Sequence, residues 1–148
     1  MSSAIKHWNT LSKNEVYEML SLREKVFVVE QNCPYQDADH QDQMAWHLLT
    51  YNDHKLVTYL RILEPKSDHE IWIGRVVVDA EYRGKNLGYK AMQMAIRFCR
   101  EEFPECTIKI SAQAHLQAYY STLGFQPYGL PYLEDNIPHH GMKLNRAE

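Results

Sequence analysis

The stretch Arg83, Gly84, Lys85, Asn86, Leu87, Gly88 follows the apolar run WIGRVVV and precedes residues with helical spacing. Two glycines and two cations at a strand-to-helix junction are the ingredients of a phosphate cradle. A helix N-terminus offers unpaired N–H groups and a partial positive charge, and glycine lets an anion come close to the backbone. The spacing excludes a P-loop, which needs Ser or Thr after its Gly-Lys pair, whereas Lys85 is followed by Asn86. It also lacks the dinucleotide fingerprint. Taken alone, the stretch reads equally well as an anion site or as a tight turn.

Other residues with chemical potential are arginines in apolar company. Arg23 lies seven residues after Val16 and four before Phe27, on the apolar stripe of a helix. Arg61 alternates with Val57, Tyr59 and Leu63, and Arg75 with Ile71, Ile73 and Val77, as on the inner face of strands. Buried guanidinium groups need anionic partners. Glu30, seven residues after Arg23, and Asp37 and Asp39 in the run QDADHQD could supply them. Two readings stay open: a structural salt-bridge network, or one arginine left to grip a carboxylate on a substrate. Arg23, Glu30, Arg61 and Arg75 are therefore candidate substrate contacts. For proton transfer, Glu30, Glu70, Asp79, His139 and His140 are available, and spacing singles out none. Adjacent strand residues face opposite ways, so at most one of the two histidines looks into a pocket; His139 is carried as the candidate. The eight histidines show no ligand spacing, and no metal is expected.

The elements that must hold these residues follow from pattern. With 148 residues and 45% hydrophobic content, the chain fits one domain spanning 1–148. Sixteen basic and 19 acidic side chains leave a formal charge of -3, and no basic cluster is interleaved with aromatics, so nucleic acid is not an expected partner class. No stretch approaches the roughly 20 apolar residues of a membrane span, and MSSAIKHWNTL lacks a signal-peptide core. Three scattered cysteines, Cys33, Cys99 and Cys106, read as reduced in a cytoplasmic protein. Ser12 and Glu15 form a capping box opening a helix over Lys13–Gln31. HLLTY and KLVTYLRIL read as a hairpin within 46–63, EIWIGRVVV as a third strand, the segment from Asn86 to Phe103 as a helix, TIKISAQ as a strand and HLQAYYSTL as a short helix. The tail FQPYGLPYLEDNIPHHGMKL reads as two short strands around an EDN turn. The order β, α, β, β, β, α, β, α, β, β is that of an α/β fold with a mixed sheet. Edge strands leave a homodimer open.

The segment VVVDAEYRGKNLGYKAM resembles the acetyl-CoA-binding motif of the GNAT acyltransferases, Q/R-x-x-G-x-G/A. Arg83 and Gly88 match its ends, and Asn86 stands where the motif has a glycine. Asparagine tolerates left-handed backbone better than most residues. AQAHLQAYYSTLGF is similar to the family's later segment ending in Tyr-x-x-x-Gly-Phe, with Tyr120 in the tyrosine position, and REKVFVVEQNCPYQDAD with EDNIPHHGM resembles the ElaA-like subgroup. The resemblance implies a mostly antiparallel mixed sheet flanked by helices, and an N-acetyltransferase using acetyl-CoA as co-substrate with a small-molecule or peptide amine as acceptor. It implies that the pantetheine arm lies along Val76, Val77 and Val78, with the Val78 N–H polarising the thioester carbonyl. The pyrophosphate would meet Arg83, Gly84, Lys85, Asn86, Leu87 and Gly88, Gln113 would hold the cofactor arm, and Tyr120 would act as general acid. Tyr119 is assigned to core or surface. Two other readings are a non-catalytic acyl-CoA-binding module and, more distantly, an enzyme like the acyl-homoserine-lactone synthases.

Overall fold

The computed structural model describes residues 1–145. Helix α1 (Lys13–Arg23) opens where Ser12 Oγ accepts from the Glu15 N–H while Glu15 Oε1 accepts from the Ser12 N–H. It does not run to Gln31 as an α-helix, because Glu24–Glu30 widen into a π-helix. The i→i+5 spacing turns later side chains off the line an α-helix would give them. Met19, Leu22, Arg23 and Val26 face the core, whereas Phe27, Glu30 and Gln31 line a gap in the sheet.

The strands are β1 (Ser2–His7), β2 (Ala45–Asn52), β3 (Lys55–Leu63), β4 (Glu70–Val78), β5 (Thr107–Gln113), β6 (Gln126–Pro127), β7 (Tyr132–Glu134) and β8 (Ile137–Leu144). They form one eight-stranded sheet in the order β1-β2-β3-β4-β5-β8-β6, with β7 also on β8. The tail thus carries one long and two short strands instead of two short ones. Asp135 and Asn136, at φ 49° and 64°, make the tight β7–β8 turn in the left-handed backbone that this hairpin geometry requires. Helix α2 (Leu87–Glu102) lies on one face of the sheet over Leu48, Leu60, Ile62, Ile71, Ile73 and Ile108, and α1 lies on the other over Leu49, Tyr59 and Val77. A 3₁₀ turn at Ala114–Leu116 leads into the short α3 (Gln117–Ser121).

Only β4 and β5 run parallel, and they stay paired from Glu70–Thr107 to Trp72–Lys109 before separating. Just beyond, β4 carries a bulge. Between the pairs Arg61–Gly74 and Tyr59–Val77, β3 has Leu60 alone while β4 has both Arg75 and Val76. Arg75 accommodates the extra residue at φ 54°. Ile71 and Ile73 pack toward α2 and Val77 toward α1, so the bulge switches the strand's faces. This corrects the expected alternation: Arg75 lies on the face of Arg61, not that of Ile71 and Ile73.

That face holds a network of three arginines and three aspartates. Arg23, wholly buried, donates from Nε to Asp37 Oδ2 at 2.7 Å and from Nη1 to Asp42 Oδ1 at 2.9 Å. Arg61 grips both oxygens of Asp39 at 2.8 and 2.6 Å and reaches Asp42 Oδ1 at 3.0 Å. Arg75 Nη2 donates to the Asp37 carbonyl at 3.1 Å, and its Nε lies 2.8 Å from Asp37 Oδ1, close enough for attraction between charges though not aligned as a hydrogen bond. The segment 33–41, which has no regular structure, is tied down by these ions. Glu30 is not among the partners of Arg23, because the π-helix carries it elsewhere.

Burial pushes the Asp39 and Asp42 carboxyls up, but hydrogen bonds and charge from Arg61 on Asp39, and from Arg23 and Arg61 on Asp42, outweigh it, and both sit below the usual carboxylate range. A depressed folded-state pKa gives stability that is present above the unfolded value of about 4 and is lost as pH falls below it. Removing one partner of a buried pair costs about 3–5 kcal/mol. Asp42→Ala should therefore lower the urea midpoint at pH 7 by a corresponding amount, and urea curves at pH 3.5 should show a smaller gap between variant and wild type than at pH 7.

Candidate active site

Asp79 donates its N–H to Val57 O on β3 at 2.8 Å. Donor direction alternates along a strand, so the amides of Val78 and Val76 point the other way, into the gap left by β5. Val78 O there accepts from Arg83 Nε at 3.2 Å. Two cavities open on this gap and share Phe27, Gln31, Val76, Gln113, Leu116 and Tyr120.

The first cavity runs along Val76, Val77 and Val78 to the loop before α2, where Arg83, Gly84, Asn86, Leu87 and Gly88 line it. Asn86 takes φ 60°, ψ 23°, a left-handed conformation that suits the position otherwise expected to hold glycine. It occupies the N-cap of α2, yet its side chain makes no capping bond and the first turn contains no acid. The leading N–H groups of a 16-residue helix are thus left for an anion. A Cβ on Gly88 would stand 3.4 Å from both Val78 Cγ2 and Tyr119 Oη, so helix and strand approach closely here. These features fit the phosphates and arm of an acyl-CoA. Lys85 is not a lining residue; its ammonium lies over the Tyr82 ring, 5.3 Å from the centroid. Glu30 also lines this cavity and binds Arg83, with Nη2 to Oε1 at 3.1 Å, so it stands apart from the other candidate substrate contacts.

The second cavity lies on the other side of Tyr120 and is lined by Arg61, Arg75 and His139 among others. Arg23 sits beneath its wall and lines neither cavity. All three guanidinium groups are already paired with aspartates, so the network reading accounts for them and none stands ready for a substrate carboxylate. His139, in β8, turns inward, whereas His140 is not a lining residue and lies 3.1 Å from Gly129 O. Opposite His139, Tyr132 stacks on its ring, and Tyr132 hydrogen-bonds Ser111. Ser111, Tyr132 and Glu134 escaped the sequence reading, though the alternation of Tyr132 and Glu134 on one strand was a usable signal. Tyr119, expected in core or surface, is partly exposed and lines the first cavity, with its hydroxyl close to Gly88.

Tyr120 is buried, edge-on to Phe125 and Tyr119. Burial first, and then the neighbouring Tyr119, push its phenol up to about 12. Such a group keeps its proton at neutral pH. Among the described residues, no group of three or more His, Cys, Asp or Glu side chains could hold a metal ion. No helix among them is long and apolar enough to cross a membrane.

Comparison with known proteins gives the family and the fold. Residues 9–146 match the family described as an acetyltransferase (GNAT) domain. Protein ElaA of Escherichia coli is 43% identical over 139 residues, 92% of this chain and 91% of ElaA, and its crystal structure superposes with a TM-score of 0.92 over 98% of this chain and all of that one. An acyl-CoA N-acyltransferase from Pseudomonas aeruginosa is 41% identical, with a TM-score of 0.92 over 99% of this chain and 100% of that one. The CoA-dependent acyl-homoserine lactone synthase BjaI shares the fold alone, at 18% identity and a TM-score of 0.78 over 99% of this chain and 84% of its own.

Because Asn86 contributes backbone shape and no capping bond, Asn86→Gly should keep CoA affinity within about twofold by calorimetry. Asn86→Val forces a β-branched residue into left-handed backbone, at about 1–2 kcal/mol, and should weaken CoA binding measurably. Loss of binding in Asn86→Gly would show that the amide side chain is itself a ligand.

Proposed function

The chain belongs to the GNAT acetyltransferase family and is an acyl-CoA-dependent N-acyltransferase acting on an amine acceptor; from that premise we propose that it moves an acetyl group from acetyl-CoA to a primary amine of a small molecule or peptide, by direct attack with both substrates bound. The observation that carries this reading is that the two cavities meet at Tyr120 and Val76. A thioester reaching that junction from the loop side meets an amine arriving from the other side, with no need for a covalent enzyme intermediate.

In this reading the uncapped start of α2, the Gly84 turn and Arg83 hold the pyrophosphate, and the gap-facing backbone of β4 pairs with the pantetheine arm as an added strand would. Lys85, away from the cavity wall, adds only charge at longer range. Of the two inward amides, that of Val76 lies where the cavities join, while Val78 lines only the loop side. The Val76 N–H is therefore the better-supported donor to the thioester oxygen, where negative charge grows as the amine attacks, and the Val78 N–H serves the arm. Gln113 bonds Gln31 across the gap at 3.4 Å, which supports a part in holding the arm. Tyr120 gives its proton to the departing sulfur as it takes one from the attacking nitrogen, a role supported by its place where the two cavities join.

Tyr120→Phe removes the hydroxyl while keeping the ring packed against Phe125. Thiol release from acetyl-CoA at saturating amine should fall about a hundredfold or more, with CoA affinity changed less than threefold. Unchanged turnover would remove Tyr120 from the mechanism, and wild-type protein that binds acetyl-CoA but releases no thiol across a broad amine panel would make it a binding module.

A further inference from the structure

Deprotonation of the acceptor is unassigned in the reading above, although an amine attacks only after its ammonium has lost a proton. The second cavity contains several titratable groups, and most are unsuited to accept one. Burial and Asp37 raise Tyr35 well above the ordinary phenol range, Asp39 is held by Arg61 below the ordinary carboxylate range, and Tyr120 is the proton donor. Asp135 is exposed on the turn, and Cys33 is engaged with the Asp135 carbonyl, Sγ to O at 3.5 Å. Tyr132 is taken up by its hydrogen bond with Ser111, which leaves Glu134 and His139.

His139 is buried, with a relative exposure of 6%. Its Nδ1 lies 2.7 Å from Ile137 O. A carbonyl can only accept, so Nδ1 carries the hydrogen and the neutral ring presents a lone pair at Nε2. Nε2 faces Glu134 Oε2 at 3.4 Å. An imidazolium would satisfy Glu134 Oε2 through its own Nε2–H, whereas in the neutral ring the lone pair and the carboxylate are two facing acceptors that a donor between them or beside both would satisfy; Ser111 Oγ, 3.4 Å from Glu134 Oε1, serves the other carboxylate oxygen. A primary ammonium, with three N–H groups, is such a donor. The neutralised arginine network behind the same cavity presents no unpaired cation to repel it.

Resting on the N-acetyltransferase reading, we propose that His139 Nε2 is the base that takes a proton from the acceptor's ammonium, and that Glu134 anchors that ammonium, so that the acceptors are protonated alkylamines without need of a carboxylate. The proton passes from R–NH₃⁺ to Nε2, giving R–NH₂ and an imidazolium beside Glu134. The amine nitrogen then bonds to the thioester carbon, the C–S bond breaks, sulfur takes the Tyr120 proton, and the second proton of the nitrogen replaces it on Tyr120. The imidazolium returns its proton to solvent, and the balance is amide, thiol and one released proton. Gln113, opposite His139 in the β5–β8 register, is uncharged and takes no part in the transfer.

The test follows thiol release from acetyl-CoA at pH 7.5, corrected for the protein-free rate. The amines are 1,4-diaminobutane and cyclohexylamine, which are protonated there, and hydroxylamine, which is not. His139→Gln should lower kcat with the alkylamines about a hundredfold or more and keep hydroxylamine turnover within about threefold of wild type. Equal losses with both kinds of amine, or no loss with the alkylamines, would overturn the proposal. So would wild-type protein that uses hydroxylamine and neither alkylamine. Protein inert toward all three while binding acetyl-CoA would overturn the acetyltransferase reading itself. Should His139→Gln fail to fold, Glu134→Gln at the exposed end of β7 is the deciding variant: it should raise KM for the alkylamines about tenfold and leave hydroxylamine unaffected, and an unchanged KM would overturn the anchor and with it the base.

Discussion

The proposed site depends on two neighbouring strands coming apart. The parallel pair β4 and β5 is held by hydrogen bonds only over its first residues, from Glu70 to Trp72 on β4. Past that point the backbone polar groups of β4 on that side have no strand to meet, an arrangement tolerable only where water or a ligand satisfies them. The bulge at Arg75 and Val76 bends β4 and switches its faces at the place of separation. One irregularity thus opens a cleft through the sheet, turns two amides into it and delivers Arg75 to the network on the α1 face.

That network fixes the second wall. A segment of roughly ten residues without regular structure would ordinarily move, yet 33–41 is pinned by Asp37 and Asp39 to three guanidinium groups. His47, buried and bonded through Nε2 to Asp42 O at 2.8 Å and through Nδ1 to Tyr59 Oη at 2.6 Å, extends the same polar core beneath β2 and β3. Burial first, with the nearby arginine charges, holds its pKa down, which suits a neutral structural imidazole. Cations balanced within the wall leave the cavity's character to its rim, where Glu134 and Asp135 stand.

Much of this was legible in residue types alone. The capping box of Ser12 and Glu15, the spans of β4 and β5 and the loop from Arg83 to Gly88 each follow from local pattern, and local pattern is what a single sequence records well. The π-helix and the β4 bulge were not legible, because both are changes of one residue in hydrogen-bond register that no composition marks. Their consequences are hidden with them: α-helical spacing sets Glu30 within reach of Arg23, and strict alternation sets Arg75 beside Ile71. That Lys85 lies over the Tyr82 ring and Tyr119 on the wall of the first cavity is hidden for a different reason. Both lie beside residues of the cofactor cavity, and only three-dimensional packing decides which of two neighbours turns inward.

The ion pair between Arg83 and Glu30 bears on which anions the loop can hold. Arg83 already has a carboxylate partner, so an incoming phosphate exchanges one anion for another and gains little Coulombic energy at that side chain. A lone inorganic phosphate or sulfate has only the helix start to recompense it. In the reading proposed above, a nucleotide thioester would add an arm that pairs along β4 over many atoms. In the proposed reading Glu30 would then act as a built-in competitor, and the loop would discriminate by the size of the molecule attached to the phosphate more than by the phosphate itself.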